Sequence, residues 1–512
     1  MPTATSNDPE LEQPQLRRLL GALQDLRQTV ERDGQATFEQ WRPSIQRPDF
    51  LASALNLAHY IALRRHDLRA FQVALMPWGL SSLGRVEARV MPNLEAVIAT
   101  LEVLCGLTPA QGSPRPPMAA FFEGSRLLEE HTEALFGPLP PQRRVRILVT
   151  LPTEAATNYE LVRAMLARGA NGVRLNCAHD GPAVWEQAIA HVRQAEQETG
   201  RPCKVLMDLS GPKIRTGPVI AAEGQSRLFR GDYLLLRRQP PDGMAAGASL
   251  EEPQTCCTRP EVLDGPIVGA PVYIDDGKLR TRVVDTHYPL PDGQRAIRLQ
   301  VTQARPKGVK LRPEQGLNFP ETALNLEPLT AKDRRDLDFV ATQADIIGYS
   351  FVQRAADVVL LQQELAQRLP PETPLPAIVA KIETAIAVSN LPELIIQAAG
   401  QQGLGIMIAR GDLAVEIGYQ RLAEIQEEIL WLCEAAHVPV IWATQVLENL
   451  VKHGAPSRGE MTDAAMAERA ECVMLNKGPF ILEAIAILDD VLTRMEAHQL
   501  KKTPQLRALR SW

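Results

Sequence analysis

From Val145 onward the chain alternates short β-branched runs with longer amphipathic segments: VRILVTL (145–151), NYELVRAMLARG, GVRLNC (172–177), VWEQAIAHVRQAEQETG and KVLMDL (204–209). A strand buries residues with period two and a helix with period 3.6, so the alternation reads as βαβ units, which carry parallel strands. The pattern stops over Thr216–Gln315, where RLFRGDYLLLRR, APVYIDDGKLRTRVV and RAIRLQVTQA read as strands joined by DDG and LPDG turns. It then resumes with IIGYSF (346–351), PAIVAKIE (376–383), GIMIARG (405–411), PVIWATQ (439–445) and CVMLNK (472–477), each followed by a helical stretch. Three strands before the interruption and five after it predict a (β/α)8 TIM barrel, with runs such as AIVA and GIMIA suited to strands buried on both faces. An open doubly wound sheet is the alternative, and neither GxGxxG nor GxxxxGK[ST] follows any strand to support it.

The region before residue 140 has a different grammar. Leu19, Leu20, Leu23, Leu26 and Val30 recur at helical spacing, as do apolar positions across 51–61 and 86–104. Prolines cluster within 108–118 and again at 137–142, where the missing N–H and fixed φ break regular structure. The expected organisation of this α/β protein is a disordered tail over 1–17 and an all-α domain over 18–140. The catalytic barrel follows over 141–216 and 316–500, with an inserted small β-barrel-like lid over 217–315 and a tail over 501–512. His59 and His66 lie among arginines and apolar helix positions with no acid or cysteine cluster beside them, which reads as a packed helical cap with a solvated basic face. The net charge of −6 and the absence of a long basic run argue against nucleic acid as a partner. No apolar segment reads as a signal peptide or membrane span, and seven cysteines without CxxC spacing fit a reducing cytoplasm.

Active residues of such a barrel sit where strands end at the carboxyl face. Those ends carry Arg174 and Asn176, Asp208, Lys381 and Glu383, Arg410 and Asp412, and Thr444. Charges at the ends of apolar strands are costly unless paired or ligated, so their convergence points to a site. Glu383 and Asp412, from adjacent strands, could ligate one hard divalent cation of the Mg²⁺ kind, or serve without metal as a general acid/base pair. Lys381 lies two residues before Glu383 and shares its face of the strand. A lysine beside a cation suits a transferring phosphoryl group or an enolate. Gly411, in the turn 410–412, lets the backbone aim N–H groups at a substrate carboxylate.

Seven segments in order, RLN with His179 (174–179), DLSGPKIRTG (208–217), IDDG (274–277), GLNFP (316–320), KIE (381–383), ARGDLAVEI (409–417) and VIWATQVLEN (440–449), resemble the pyruvate kinase family from about residue 143 to 490. The resemblance implies transfer of a phosphoryl group from phosphoenolpyruvate to ADP, giving pyruvate and ATP in the cytoplasm, with a homo-oligomer left open. It implies Mg²⁺ (or Mn²⁺) on Glu383 and Asp412, Lys381 stabilising the phosphoryl in flight, and Arg174, Arg215 and His179 on phosphate groups. Backbone N–H groups of Gly411 and Asp412 would bind the substrate carboxylate, and Thr444 would lie where the enolate carbon is protonated. The chain departs from K⁺-dependent members at Ala178, Leu209, Ser210 and Lys213. Asn176, Asp208 and Lys213 then read as the remnant of a monovalent-cation site in which the Lys213 ammonium replaces K⁺. Gln315 stands where the lid usually carries a lysine, which implies slower transfer. The chain ends at Trp512, before the family's carboxyl-terminal effector domain, so effector control by that route is expected to be absent. Two other classes fit the same residues: a divalent-metal oxo-acid aldolase or lyase, and a non-catalytic phosphoenolpyruvate sensor.

Overall fold

The computed structural model describes residues 9–108, 110–220, 227–240, 251–324 and 326–505. Eight parallel strands close a barrel: β1 (Arg146–Thr150), β2 (Gly172–Asn176), β3 (Lys204–Asp208) and, after the insertion, β11 (Ile346–Tyr349), β12 (Ala377–Ile382), β13 (Leu404–Ala409), β14 (Val440–Ala443) and β15 (Cys472–Leu475). Going round, the order is β1-β15-β14-β13-β12-β11-β3-β2, so every neighbouring pair is consecutive within its half except β3–β11 and the closing pair β1–β15. Every residue of β13 is buried, as a strand between barrel interior and outer helices requires. Register then levels the functional ends: Asn176 faces Asp208, and Asp208 faces Gly348.

The inserted residues form β4 (Thr216–Ile220), β5 (Tyr233–Arg237), β6 (Gln254–Cys257), β7 (Pro271–Ile274), β8 (Leu279–Pro289), β9 (Arg295–Gln303) and β10 (Leu317–Asn318). They make one seven-stranded sheet, order β10-β7-β8-β9-β5-β6-β4, with its own apolar core around Leu234, Val272 and Leu299. The two edge strands of this sheet meet at their starts through the antiparallel bridge Arg215–Gly316, as a barrel-like lid requires, and they reach one to three residues past the expected limits of 217 and 315. The two chain crossings are zipped together as a neck: Leu317 donates to the Ile214 carbonyl at 2.8 Å and Thr216 to the Gln315 carbonyl at 2.8 Å.

The amino-terminal helices cap the barrel at the end opposite the charged mouth. Leu135 and Phe136, at the end of helix Met118–Phe136, enter the barrel interior and join Leu148, Met407 and Ile441 in one core. A side chain at Gly405 would meet Leu135 at 2.6 Å, so that glycine is what lets the helix end reach into the barrel. Polar contacts seal the seam: Gln46 and Arg47 donate to the Gly400 carbonyl at 2.8 and 2.9 Å, and Asn56 donates to the Ala435 carbonyl at 2.8 Å. His59 is buried against Gly34, and burial pushes its pKa down, as fits a packing residue.

Both expected tails need correction. The helix Pro9–Trp41 already runs through 9–17, because Leu16 extends the stripe of Leu20, Leu23 and Leu26; residues 1–8 lie outside the described residues. At the other end Gln499–Leu500 pairs with Thr503–Pro504, and Lys501 and Lys502 form ion pairs with Glu471 and Glu87. Only residues 506–512 of that expected tail lie outside the described ones. No helix among the described residues is long and apolar enough to cross a membrane.

Leu135→Ala removes the apolar plug of the barrel floor and is expected to cost about 2–5 kcal/mol. A lowered urea midpoint at unchanged slope checks this; an unchanged midpoint contradicts the docking described.

Candidate active site

The carboxyl ends of β2, β3, β11 and β12 deliver a buried, cross-linked charge cluster. Arg174 donates through Nε to Asp208 Oδ2 at 2.8 Å and through Nη1 to Thr150 Oγ1 at 3.3 Å. Lys381 Nζ lies 3.2 Å from Asp208 Oδ2, 3.2 Å from Glu383 Oε1 and 2.7 Å from Ser350 Oγ. Two hydrogen bonds and the ion pair with Glu383 thus hold the ammonium, which is what permits a charge at 8% exposure. Burial alone would push Lys381 down; the carboxylates of Asp208 and Glu383 outweigh it and hold its pKa above the ordinary value. Burial would likewise raise Asp208, yet Lys381 and Arg174 keep it below the ordinary carboxylate range.

Glu383 Oε2 accepts the Phe351 N–H at 2.6 Å. That amide is aimed inward because Phe351 adopts a left-handed backbone, φ 56°. Burial raises the Glu383 pKa; Lys381 opposes this and the nearby Asp412 carboxylate adds to it. Asp412 itself holds Lys213 Nζ at 2.7 Å from Oδ1. Three carboxylates, Asp208, Glu383 and Asp412, therefore face three cations, Arg174, Lys381 and Lys213, and the resting cluster is neutral.

The expected turn at 410–412 is instead the first turn of helix Arg410–Ile417, so Gly411 and Asp412 sit at a helix amino end whose N–H groups favour an anion. Gly411 donates its N–H to Thr444 Oγ1 at 2.8 Å. Thr444 has φ 63°, a strained conformation for a β-branched residue, and Arg410 holds it by donating to the carbonyls of Ala443 at 2.9 Å and Thr444 at 2.6 Å. Arg410 is in turn gripped by Asp463 at 2.9 Å and stacks on Trp442 at 4.6 Å. Arg410 thus turns away from the mouth: it positions Thr444 and joins none of the charge cluster.

Several predicted residues are placed elsewhere. Lys213 reaches Asp412, whereas Asp208 is occupied by Arg174 and Lys381, so Asn176, Asp208 and Lys213 do not assemble into one cation site. Asn176 instead accepts the Ala178 N–H at 3.1 Å, shaping the loop that carries the exposed His179. Arg215 lies on the lid neck and donates to the Glu314 carbonyl at 2.9 Å. Gln315 accepts the Arg312 N–H at 2.8 Å within its own loop. Cys177 is buried and its thiol is pushed well above the ordinary range, which removes its nucleophilicity. Sequence reasoning missed Ser350, whose only signal was its place at a strand end. It also missed Asp333, whose capping box with Thr330 leaves Oδ1 to accept the Ser210 N–H at 2.9 Å and so fix the loop after β3.

Charges gathered at the carboxyl end of a parallel barrel define an enzyme site. The family model of the pyruvate kinase barrel domain matches residues 142–481. The chain is 31% identical over 366 residues to a pyruvate kinase of Agrobacterium vitis, covering 70% of this chain and 69% of that one. It is 33% identical over 365 residues to a pyruvate kinase of Geobacillus stearothermophilus, covering 69% of this chain and 57% of the relative. A solved pyruvate kinase from Cryptosporidium parvum superposes with a TM-score of 0.59 at 27% identity, over 71% of this chain and 72% of that one. The chain therefore belongs to the pyruvate kinase family of phosphotransferases. Membership implies a divalent metal in general, and the residues fit one: Glu383 and Asp412 are adjacent hard oxygen donors.

Asp208→Asn leaves the buried Lys381 and the half-buried Arg174 without their shared counter-charge and is expected to cost about 3–5 kcal/mol at pH 7. The folded pKa of Asp208 is depressed below 3.8, so its contribution is present above that value and lost as pH falls through the folded pKa. Urea midpoints of the two proteins should therefore converge in acid; a gap that is absent at pH 7, or that widens in acid, contradicts the pairing.

Proposed function

We propose that the chain transfers the phosphoryl group of phosphoenolpyruvate to ADP, with Mg²⁺ (or Mn²⁺) on Glu383 and Asp412 and without need of K⁺. The observation that carries this is the Lys381 ammonium, fixed by Asp208, Glu383 and Ser350 beside the two metal-binding carboxylates. The bond from phosphorus to the enol oxygen breaks, a bond from phosphorus to a β-phosphate oxygen of ADP forms, and the enolate carbon takes a proton. Bound there, the metal would supply Lewis-acid neutralisation of phosphoryl and enolate oxygens. Lys381 stabilises the charge on the transferring group, and it needs no reorganisation because its partners already hold it. The amino end of helix Arg410–Ile417 receives the substrate carboxylate, and Thr444, held in its strained conformation, presents its hydroxyl next to Gly411.

The absence of a K⁺ requirement is supported by Lys213, whose ammonium already lies against Asp412 and supplies a fixed positive charge at the mouth. Arg174 would meet phosphate from its place on Asp208, and Arg215 and His179 would do so as the lid moves on its neck. A cytoplasmic location is supported by seven free cysteines.

Purified protein with phosphoenolpyruvate, ADP, Mg²⁺ and tetramethylammonium chloride should form pyruvate and ATP in equal amounts, at a rate unchanged by K⁺. Lys381→Met should lower kcat about 10²–10³-fold. A strict K⁺ requirement refutes the role given to Lys213. No turnover, with pyruvate condensing on an aldehyde instead, replaces phosphoryl transfer with aldol chemistry; tight phosphoenolpyruvate binding with no turnover makes the barrel a sensor.

A further inference from the structure

A second cavity, of about 410 Å³, opens between the lid neck and the barrel rim. Its volume falls in the range of small-molecule sites. None of Arg174, Asp208, Lys381, Glu383, Asp412 and Thr444 lines it; Lys213 alone is shared with the charge cluster. The wall is built from both bodies. Ile214 precedes β4 and Phe319 follows β10 at the neck, Phe351 comes from the loop after β11, Ile386 from the short helix Ala385–Ser389 after β12, and Leu324 closes one side. These side chains make an apolar slot.

A carboxylate, that of Glu416, stands at the polar side of the slot. Asn318, on β10, is 8% exposed and donates through Nδ2 to Glu416 Oε1 at 3.1 Å, which fixes where that carboxylate stands. Burial raises the pKa of Glu416, so that the charged form gains from a cation placed near it. The cations on the wall do not supply that charge: Lys213 is bound to Asp412, and Arg354 is exposed at the rim. The slot therefore sets a carboxylate with no ion-pair partner among the described residues against apolar walls.

We propose that this cavity binds a small organic ammonium compound carrying a planar apolar body, with the ammonium on the Glu416 carboxylate that Asn318 positions and the body between Phe319, Phe351 and Leu324. A ligand so placed touches the lid neck and the barrel rim together, and would bias the angle between them.

Tryptamine is the probe, against tryptophol and indole-3-acetate, which keep the ring and change the head group to a neutral hydroxyl and an anion. Calorimetric titration of the full chain, without phosphoenolpyruvate or ADP, reads binding independently of the phosphotransfer assignment. Tryptamine should bind at least about tenfold more tightly than either analogue, since one lost charge-assisted hydrogen bond is worth that factor or more. Glu416→Gln and Asn318→Leu should each weaken it about tenfold or more, and Leu324→Trp, which fills the slot from its side and leaves the neck untouched, should abolish it. Equal or absent binding of the three compounds, or tryptamine affinity unchanged in Glu416→Gln and Leu324→Trp, overturns the proposal.

Discussion

A single ammonium group sets the terms for the mouth of this barrel. Lys381 is taken out of water by apolar strands on both sides, and an isolated ion there would be costly by several kcal/mol. It is stable as a charge because three acceptors from three strand ends, Asp208, Ser350 and Glu383, close around it. Each acceptor is in turn fixed: Asp208 by Arg174, Ser350 by donating its hydroxyl to Asp208 Oδ1 at 3.3 Å, and Glu383 by the amide of Phe351. Removing any member leaves another uncompensated, so the strand ends are locked in register by electrostatics as well as by the ladder. The same locking gives phosphoryl transfer what it needs, a positive group already oriented before charge develops.

The two ends of the barrel divide the work. The floor is closed by Leu135 and Phe136 from the helical domain, and by Arg146, which is buried there and donates to Glu129 of the same helix at 3.1 Å. Apolar packing plugs this end. The mouth concentrates charge, strained backbone at Phe351 and Thr444, and the neck of the lid. Apolar packing and charge are thus separated along the barrel axis, as expected when catalytic loops occupy one face.

The strands were legible because a parallel strand buried on both faces has to be an unbroken apolar run, and runs such as AIVA and GIMIA have no competing use. Lys381, Glu383 and Asp412 were legible for the complementary reason, since charge at the end of such a run demands a partner. What the sequence could not convey is direction. Arg410 ends a strand just as Lys381 does, yet a helix starts at that residue and swings its side chain onto Asp463. Lys213 was read with Asp208 and pairs instead with Asp412, on a different strand end. Ser350 was hidden because one hydroxyl carries no pattern. The Asn318–Glu416 pair joins residues 98 positions apart and is visible only once the neck is folded.

The coupling between Asp208 and Lys381 is the most direct test of this account. A double-mutant cycle with Asp208→Asn, Lys381→Met and the pair, read by urea unfolding at pH 7, should show the double variant losing less than the sum of the two singles, with a coupling of about 1–3 kcal/mol. Additive losses would mean that the two groups do not share a cluster, and the site built around the ammonium would have no physical basis.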